Sequence, residues 1–156
     1  MKRLGASFEL WPGAGRGRVE AGEFRCLHCR RPVLTDWTIS GVRNRNHCPY
    51  CLHSRHLDLR RPGDRLAACK GAMAPVGLTL KRVHKKYGPQ TGELMLIHAC
   101  RECGQVSINR IAADDDWGMV MDVLRGSGGM DGELRRRLGE AGITVMEAES
   151  EAVLVG

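Results

Sequence analysis

Three Cys-x-x-Cys pairs, Cys26/Cys29, Cys48/Cys51 and Cys100/Cys103, together with a lone Cys69, constrain this chain more than anything else in it. Two sulfurs held one short turn apart serve as metal ligands, as a redox couple or as halves of disulfides. The odd count of seven argues against a disulfide-rich secreted module, and so does an N-terminus, Met1-Lys2-Arg3-Leu4-Gly5, that opens no hydrophobic signal region. No βαβ pattern surrounds any pair, which argues against a thioredoxin-like motif. Metal ligation in a reducing compartment is what remains. The cytoplasm is therefore the expected location, with no membrane association, since no apolar run reaches the ~20 residues that a bilayer demands.

Cys26-x2-Cys29-x18-Cys48-x2-Cys51 falls within the spacing of a four-cysteine zinc site built from two knuckles. Pro49 suits the second knuckle, because it fixes a backbone angle without removing a needed donor. Cys69, Cys100 and Cys103 then want a fourth ligand. His56 is the first choice over His53, His47 and His98, since it lies on the stretch running from one knuckle toward the other. His98 is too close to Cys100 to share an ion with it easily. An exchanged arrangement, with Cys100 and Cys103 completing a site with Cys26 and Cys29, stays open on spacing alone. Two Zn²⁺ ions, fully ligated, leave no open position for a reactive water and are structural.

With 156 residues there is room for about one domain, and an aromatic content of 4% leaves little for a large aromatic core, so metal must help hold the fold. Residues 1–22 are broken by Trp11-Pro12-Gly13 and Gly15-Arg16-Gly17 and read as a flexible arm. Residues 23–113 carry every cysteine. Within them Val76–Leu80 and Glu93–His98 read as the strands of a hairpin with a basic tip around Lys85 and Lys86. Residues 114–156 form an acidic extension. Asp114-Asp115-Asp116 offers caps for a helix bearing Trp117, Val120, Met121 and Leu124, and Asp131 caps a second helix with Leu134, Leu138 and Ala141 before Gly142. Ile143–Met146 and Ala152–Val155 read as short strands. The expected fold is a small β-rich, zinc-ribbon-like one, with two tandem ribbons as one form, carrying a short α+β appendage.

Charge is segregated along the chain. Residues 24–113 carry a formal +11 and residues 114–156 a formal −6, within a total of +6. Arg43, Arg45, Arg55, Arg60, Arg61, Lys81, Arg82, Lys85, Lys86 and Arg110 surround the expected metal core and are the candidate nucleic-acid contacts, because a small ribbon has little interior in which to hide them. Asn44-Arg45 and Asn109-Arg110 follow their Cys-x-x-Cys pairs in a way that hints at duplication. These Asn and Arg side chains either meet RNA or orient the knuckles through backbone carbonyls. Tyr50 either stacks on a base or caps its knuckle. Asp58 and Asp64 pair with Arg60, Arg65 or His56 to order a loop.

Arg45-Asn46-His47-Cys48-Pro49, within Asn44-Arg-Asn-His-Cys-Pro-Tyr-Cys-Leu-His-Ser-Arg-His-Leu-Asp58, resembles the core motif of the RNHCP domain family. The similarity continues through Pro62–Arg65, Cys69–Pro75, His98–Gly104 and Asn109–Asp115, so it spans residues 24 to about 115. It implies a small bacterial zinc-ribbon-like protein and leaves its task open.

Three functions follow as expectations. The first is a zinc-stabilised module that binds structured RNA, such as the ribosome or a ribosome-associated particle. The second is an adaptor that docks a protein partner through the extension. The third is a metal-dependent nuclease with His47, His53 or His56 as base. It is the weakest of the three, because the chain has no paired-carboxylate cluster, deaminase signature or Gly-rich phosphate loop.

Overall fold

The computed structural model describes residues 22–82, 92–150 and 154. The chain begins with two short strands, β1 (Glu23–Arg25) and β2 (Pro32–Leu34), paired antiparallel with Phe24 opposite Val33. In each strand only the middle residue is buried, so both turn one side chain inward and leave their ends in solvent. A single-turn helix, α1 (Trp37–Ser40), follows. Asp36 accepts a hydrogen bond from the Thr38 N–H at its start, and Gly41, at φ 71°, closes its end.

The second sheet has four antiparallel strands in the order β3-β4-β5-β6: β3 (Ser54–Arg55), β4 (Ala72–Arg82), β5 (Gly92–Cys100) and β6 (Val106–Arg110). The expected hairpin is its centre, with Leu78 opposite Leu96 and Met73 opposite Cys100. The expected basic tip, with Lys85 and Lys86, lies outside the described residues. The β4–β5 register shifts between Pro75 and Gly77. A proline is tolerated there because β3 pairs only with Ala72 and Met73, so β4 has already lost its other neighbour. A side chain at Gly77 would press on Val145 and Ile97, at 3.3 and 3.5 Å.

Beyond Ala113 lie α2 (Trp117–Gly126), a 3₁₀ turn (Ser127–Gly129), α3 (Gly132–Glu140) and a second 3₁₀ turn (Ala148–Ser150). Asp116 caps α2 through the Met119 N–H and Asp131 caps α3 through the Leu134 N–H, as the sequence suggests. Val120, Met121 and Leu124 are buried from α2, whereas Trp117 stays half exposed. Ile143–Met146 is not a strand. Its one backbone hydrogen bond to the sheet among the described residues is from the Met146 N–H to the Leu78 carbonyl at 2.8 Å, and a single bond makes no ladder. Of Ala152–Val155 only Leu154 is described, and it is helical.

The main core joins Leu52, Leu78 and Leu96 to Val120, Met121 and Leu124 of α2. Burying each such side chain stabilises the fold by about 1.5–3 kcal/mol. The stretch after Ala113 therefore does not stand apart from the cysteine-bearing segment. A second core gathers Phe24, Val33, Cys26, Cys48 and Cys51 around the first knuckles.

Candidate metal centres

All three Cys-x-x-Cys pairs fold into the same turn. The first cysteine donates its N–H to the carbonyl five residues on and accepts from the N–H four residues on: Cys26 with Arg31 and Arg30, Cys48 with His53 and Leu52, Cys100 with Gln105 and Gly104. The residue four on has positive φ each time, 65° at Arg30, 59° at Leu52 and 73° at Gly104. Leu52 adopts this disfavoured backbone conformation because its fully buried side chain anchors the main core. At Gly104 a side chain would collide with the Arg137 guanidinium, which donates to the Gly104 carbonyl at 3.2 Å.

These turns bring the sulfurs together in two clusters. Cys26, Cys29, Cys48 and Cys51 form one, with Cys26 Sγ 3.6 Å from Cys51 Sγ and Cys29 Sγ 3.6 Å from Cys48 Sγ. His56, Cys69, Cys100 and Cys103 form the other, with Cys69 Sγ 3.6 Å from Cys100 Sγ and Cys103 Sγ 3.3 Å from His56 Nδ1. A tetrahedral ion with Zn–S bonds near 2.3 Å separates its sulfurs by about 3.8 Å, so both donor sets fit zinc. The spacing-based choice of ligands, His56 included, matches the residues that converge, and the exchanged pairing is absent.

The thiol chemistry agrees. Burial pushes the Cys48 thiol far up and the Cys51 thiol up to about 11. Burial also opposes ionisation of Cys29, but the Arg31 N–H and the neighbouring sulfurs outweigh it and lower that thiol. Four such groups ionise together only around a cation. With four protein donors each, neither cluster keeps a position for water, so the ions they suit are structural.

The clusters differ in shelter. Three of the four ligands of the first are buried, whereas Cys69 and Cys103 of the second are exposed. His56 presents Nδ1 to its cluster, and no described residue accepts from its buried Nε2. Among the described residues the second cluster thus has no outer partner of the kind that usually orients a ligand imidazole.

The motif around Cys48 is a clamp. Arg45, expected among the phosphate contacts, is 1% exposed. Its Nη1 donates to both oxygens of Asp114 at 2.8 Å, its Nη2 to Asp115 at 3.2 Å and its Nε to the His47 carbonyl at 3.1 Å. A guanidinium this deep persists because carboxylates arriving from the start of the extension meet it. His47 Nε2 lies 2.7 Å from the same Asp115. Asn46 donates to Asp58 at 3.1 Å and accepts from Arg65, and the Pro49 carbonyl accepts the Asp116 N–H at 2.8 Å. Of the two roles open to Asn46 and Arg45, the orienting one is what the geometry contains.

His98 lies between the two halves, fully buried. Its Nδ1 accepts from Asn109 at 2.8 Å, which leaves the proton on Nε2, 2.7 Å from the Leu52 carbonyl. Burial pushes its pKa down to about 3. Asn44 is exposed and Asn109 half-buried, and Arg110 is exposed and paired with Glu93 at 2.6 Å while Arg45 is buried, so the hinted duplication extends to the knuckle turns and not to the Asn-Arg pairs after them. Asp58 pairs with Arg65 as expected, but Asp64 takes backbone N–H groups of Leu59, Arg60, Arg61 and Leu66 in place of a side-chain partner.

The other candidate contacts fall on the surface or outside the described residues. Arg43, Arg60, Arg61, Lys81, Arg82 and Arg110 are exposed, and Arg55 is half buried with its Nε donating to the Lys70 carbonyl at 2.9 Å. Tyr50 is half exposed with the Arg31 guanidinium 4.8 Å from its ring centre. Two of the three histidines considered as a nuclease base are otherwise engaged, His47 with Asp115 and His56 with the second cluster. The sequence reading passed over Arg31, Lys70 and Arg101, all beside or between ligands. Their place beside a ligand, Arg31 two residues after Cys29, Lys70 next to Cys69 and Arg101 next to Cys100, was the available signal.

A four-cysteine cluster and a cluster of three cysteines and His56, built around three knuckles on a small antiparallel framework, define a β-rich zinc-binding protein. The chain belongs to the RNHCP domain family, whose model matches residues 21–121. Comparison with curated proteins and with solved structures gives no match. Among the described residues no helix is long and apolar enough to cross a membrane.

Proposed function

We propose that this protein is a zinc-stabilised nucleic-acid-binding module acting in the cytoplasm on structured RNA, as part of or beside the ribosome. The observation that carries this reading is where the acidic extension spends its charge. Asp114 and Asp115 face Arg45 and His47 in the interior, Asp116 and Asp131 cap helices, and Asp122, Glu133, Glu140 and Glu147 pair with Arg125, Arg135, Arg136 and Arg137 of their own segment. These contacts tie the carboxylates to partners other than the exposed cations of residues 24–113. Arg31, Arg43, Arg60, Arg61, Lys70 and Arg101 have no carboxylate partner among the described residues. Rigid, metal-held turns bearing unneutralised cations suit phosphate contact and RNA shape.

A salt series decides it. Zinc-loaded protein titrated into a fluorescent RNA hairpin should bind with an affinity that falls steeply and linearly in log–log form as salt rises. Absence of binding at low salt rejects the reading. The second reading, a protein adaptor, rests on the half-exposed Trp117 of α2. It is favoured if affinity purification returns a salt-resistant protein partner free of RNA.

A further inference from the structure

His28, inside the first knuckle, lies flat on His53, just after the second knuckle. Their ring centres are 3.6 Å apart and their planes differ by 3°. Arg101, from the third knuckle, places Nη2 3.4 Å from His53 Nε2. The three Cys-x-x-Cys turns thus send one side chain each to a single spot. Beside it is a shallow cleft lined by Phe24, Leu27, His28, His53 and Arg55.

The arrangement has its own hydrogen-bond logic. The Cys51 carbonyl can only accept, so His53 donates from Nδ1 at 3.0 Å and keeps Nε2 as acceptor for Arg101. His28, His53 and Cys51 are near enough for a shared ion, but the geometry opposes one. Parallel ring planes cannot aim two in-plane lone pairs at one point, a guanidinium at Nε2 repels a cation, and Cys51 already belongs to the first cluster. His28 is exposed although one face is covered by His53. Its other face extends the stack outward, with a half-exposed Leu27 next to it. Arg101 is exposed as well and uses one of its five N–H donors on His53. A flat ring joined to an anion matches both features at once.

We infer that His28, His53 and Arg101 form a docking site for one unpaired nucleotide, with its base stacked on the outer face of His28 and its phosphate held by Arg101. This rests on the nucleic-acid reading above and narrows it to a loop, bulge or end, where bases are free to stack. The site tolerates any base, because stacking uses the ring face and not its hydrogen-bonding edge.

The test is fluorescence anisotropy of the full zinc-loaded chain with short single-stranded RNA and DNA, a duplex of the same sequence and an abasic single strand, with zinc content measured for every variant. The wild type should prefer a single strand to the duplex. His28→Ala should weaken single-strand binding about tenfold or more, His28→Trp should restore it, and the abasic strand should bind the wild type as weakly as the intact strand binds His28→Ala. Preference between RNA and DNA identifies the natural strand and supports the site either way. Equal binding by His28→Ala and His28→Trp, both with full zinc, overturns the site while leaving the broader function standing. Duplex bound as tightly as single strand does the same. Absence of all binding by the wild type removes both.

Discussion

His98 Nε2 donates a 2.7 Å hydrogen bond to the carbonyl of Leu52, so a residue two positions before one cluster's ligand Cys100 holds the residue that follows the other cluster's ligand Cys51. Leu52 sits at φ 59° to complete its knuckle, and the imidazole satisfies a carbonyl that the sheet does not reach. His98→Ala should cost about 2–4 kcal/mol, from a buried acceptor left without a donor together with a cavity. His98→Gln, which can present an N–H, should lose clearly less. Urea unfolding at neutral pH with zinc in excess distinguishes them, and equal losses would mean that volume alone matters.

Arg45 is the next test. Arg45→Met removes the cation that faces Asp114 and the 1%-exposed Asp115, leaving Asp115 only His47 and the Ala112 N–H, and should destabilise by about 3–5 kcal/mol. RNA affinity per folded molecule should stay as it is, because the guanidinium never reaches the surface. A variant that folds normally yet loses RNA would contradict this placement.

Metal removal should be ordered. The exposed Cys69 and Cys103, and a His56 with no orienting partner among the described residues, predict that a chromophoric chelator strips the second cluster first, giving two phases in the release trace. Cys69→Ser should abolish the fast phase and lower the zinc content by about one equivalent. A single phase in the wild type, or a variant with unchanged metal content, would count against the difference between the sites.

Asp64 organises the loop that delivers Cys69. Its carboxyl is held well below the usual carboxylate range by the N–H groups of Leu59, Arg60 and Arg61. A depressed folded pKa contributes stability that is complete above the ordinary value near 3.9 and is lost only as pH falls below it. Zinc release between pH 5 and 7 should therefore follow ligand protonation, with Asp64 already ionised throughout. Asp64→Ala should weaken zinc at the second cluster about tenfold at every pH in that window, leaving the shape of the profile unchanged. A shifted midpoint would show that Asp64 titrates there.

Cysteine spacing suggested the two ligand sets but left an exchanged pairing open, which only the converging sulfurs close, because Cys69 and Cys100 are 31 positions apart; alternation was enough to find the β4–β5 hairpin, which depends on residues near one another along the chain. Asp116 and Asp131 were readable as caps for the same reason. Arg45 was not. A basic residue within a motif of solvent-loving letters looks like a surface contact until Asp114 arrives 69 positions later to bury it. Ile143–Met146 failed in the opposite sense. Its apolar run suggested a strand, but one bond to Leu78 fixes it beside the sheet and its apolar character serves packing. α1 is too short for any periodicity, although Asp36 and Gly41 mark its two ends.

The ten residues from His47 to Arg55 and His56 hold ligands of both clusters, the buried partner of Asp115 and the leucine that anchors the core. An ion entering either cluster must fix this stretch, and fixing it prepares the other cluster. Filling the sheltered first cluster therefore settles His56 for the exposed second one, so that as zinc supply falls the second ion leaves before the first, and a starved cell holds a half-loaded form still folded around Cys26, Cys29, Cys48 and Cys51.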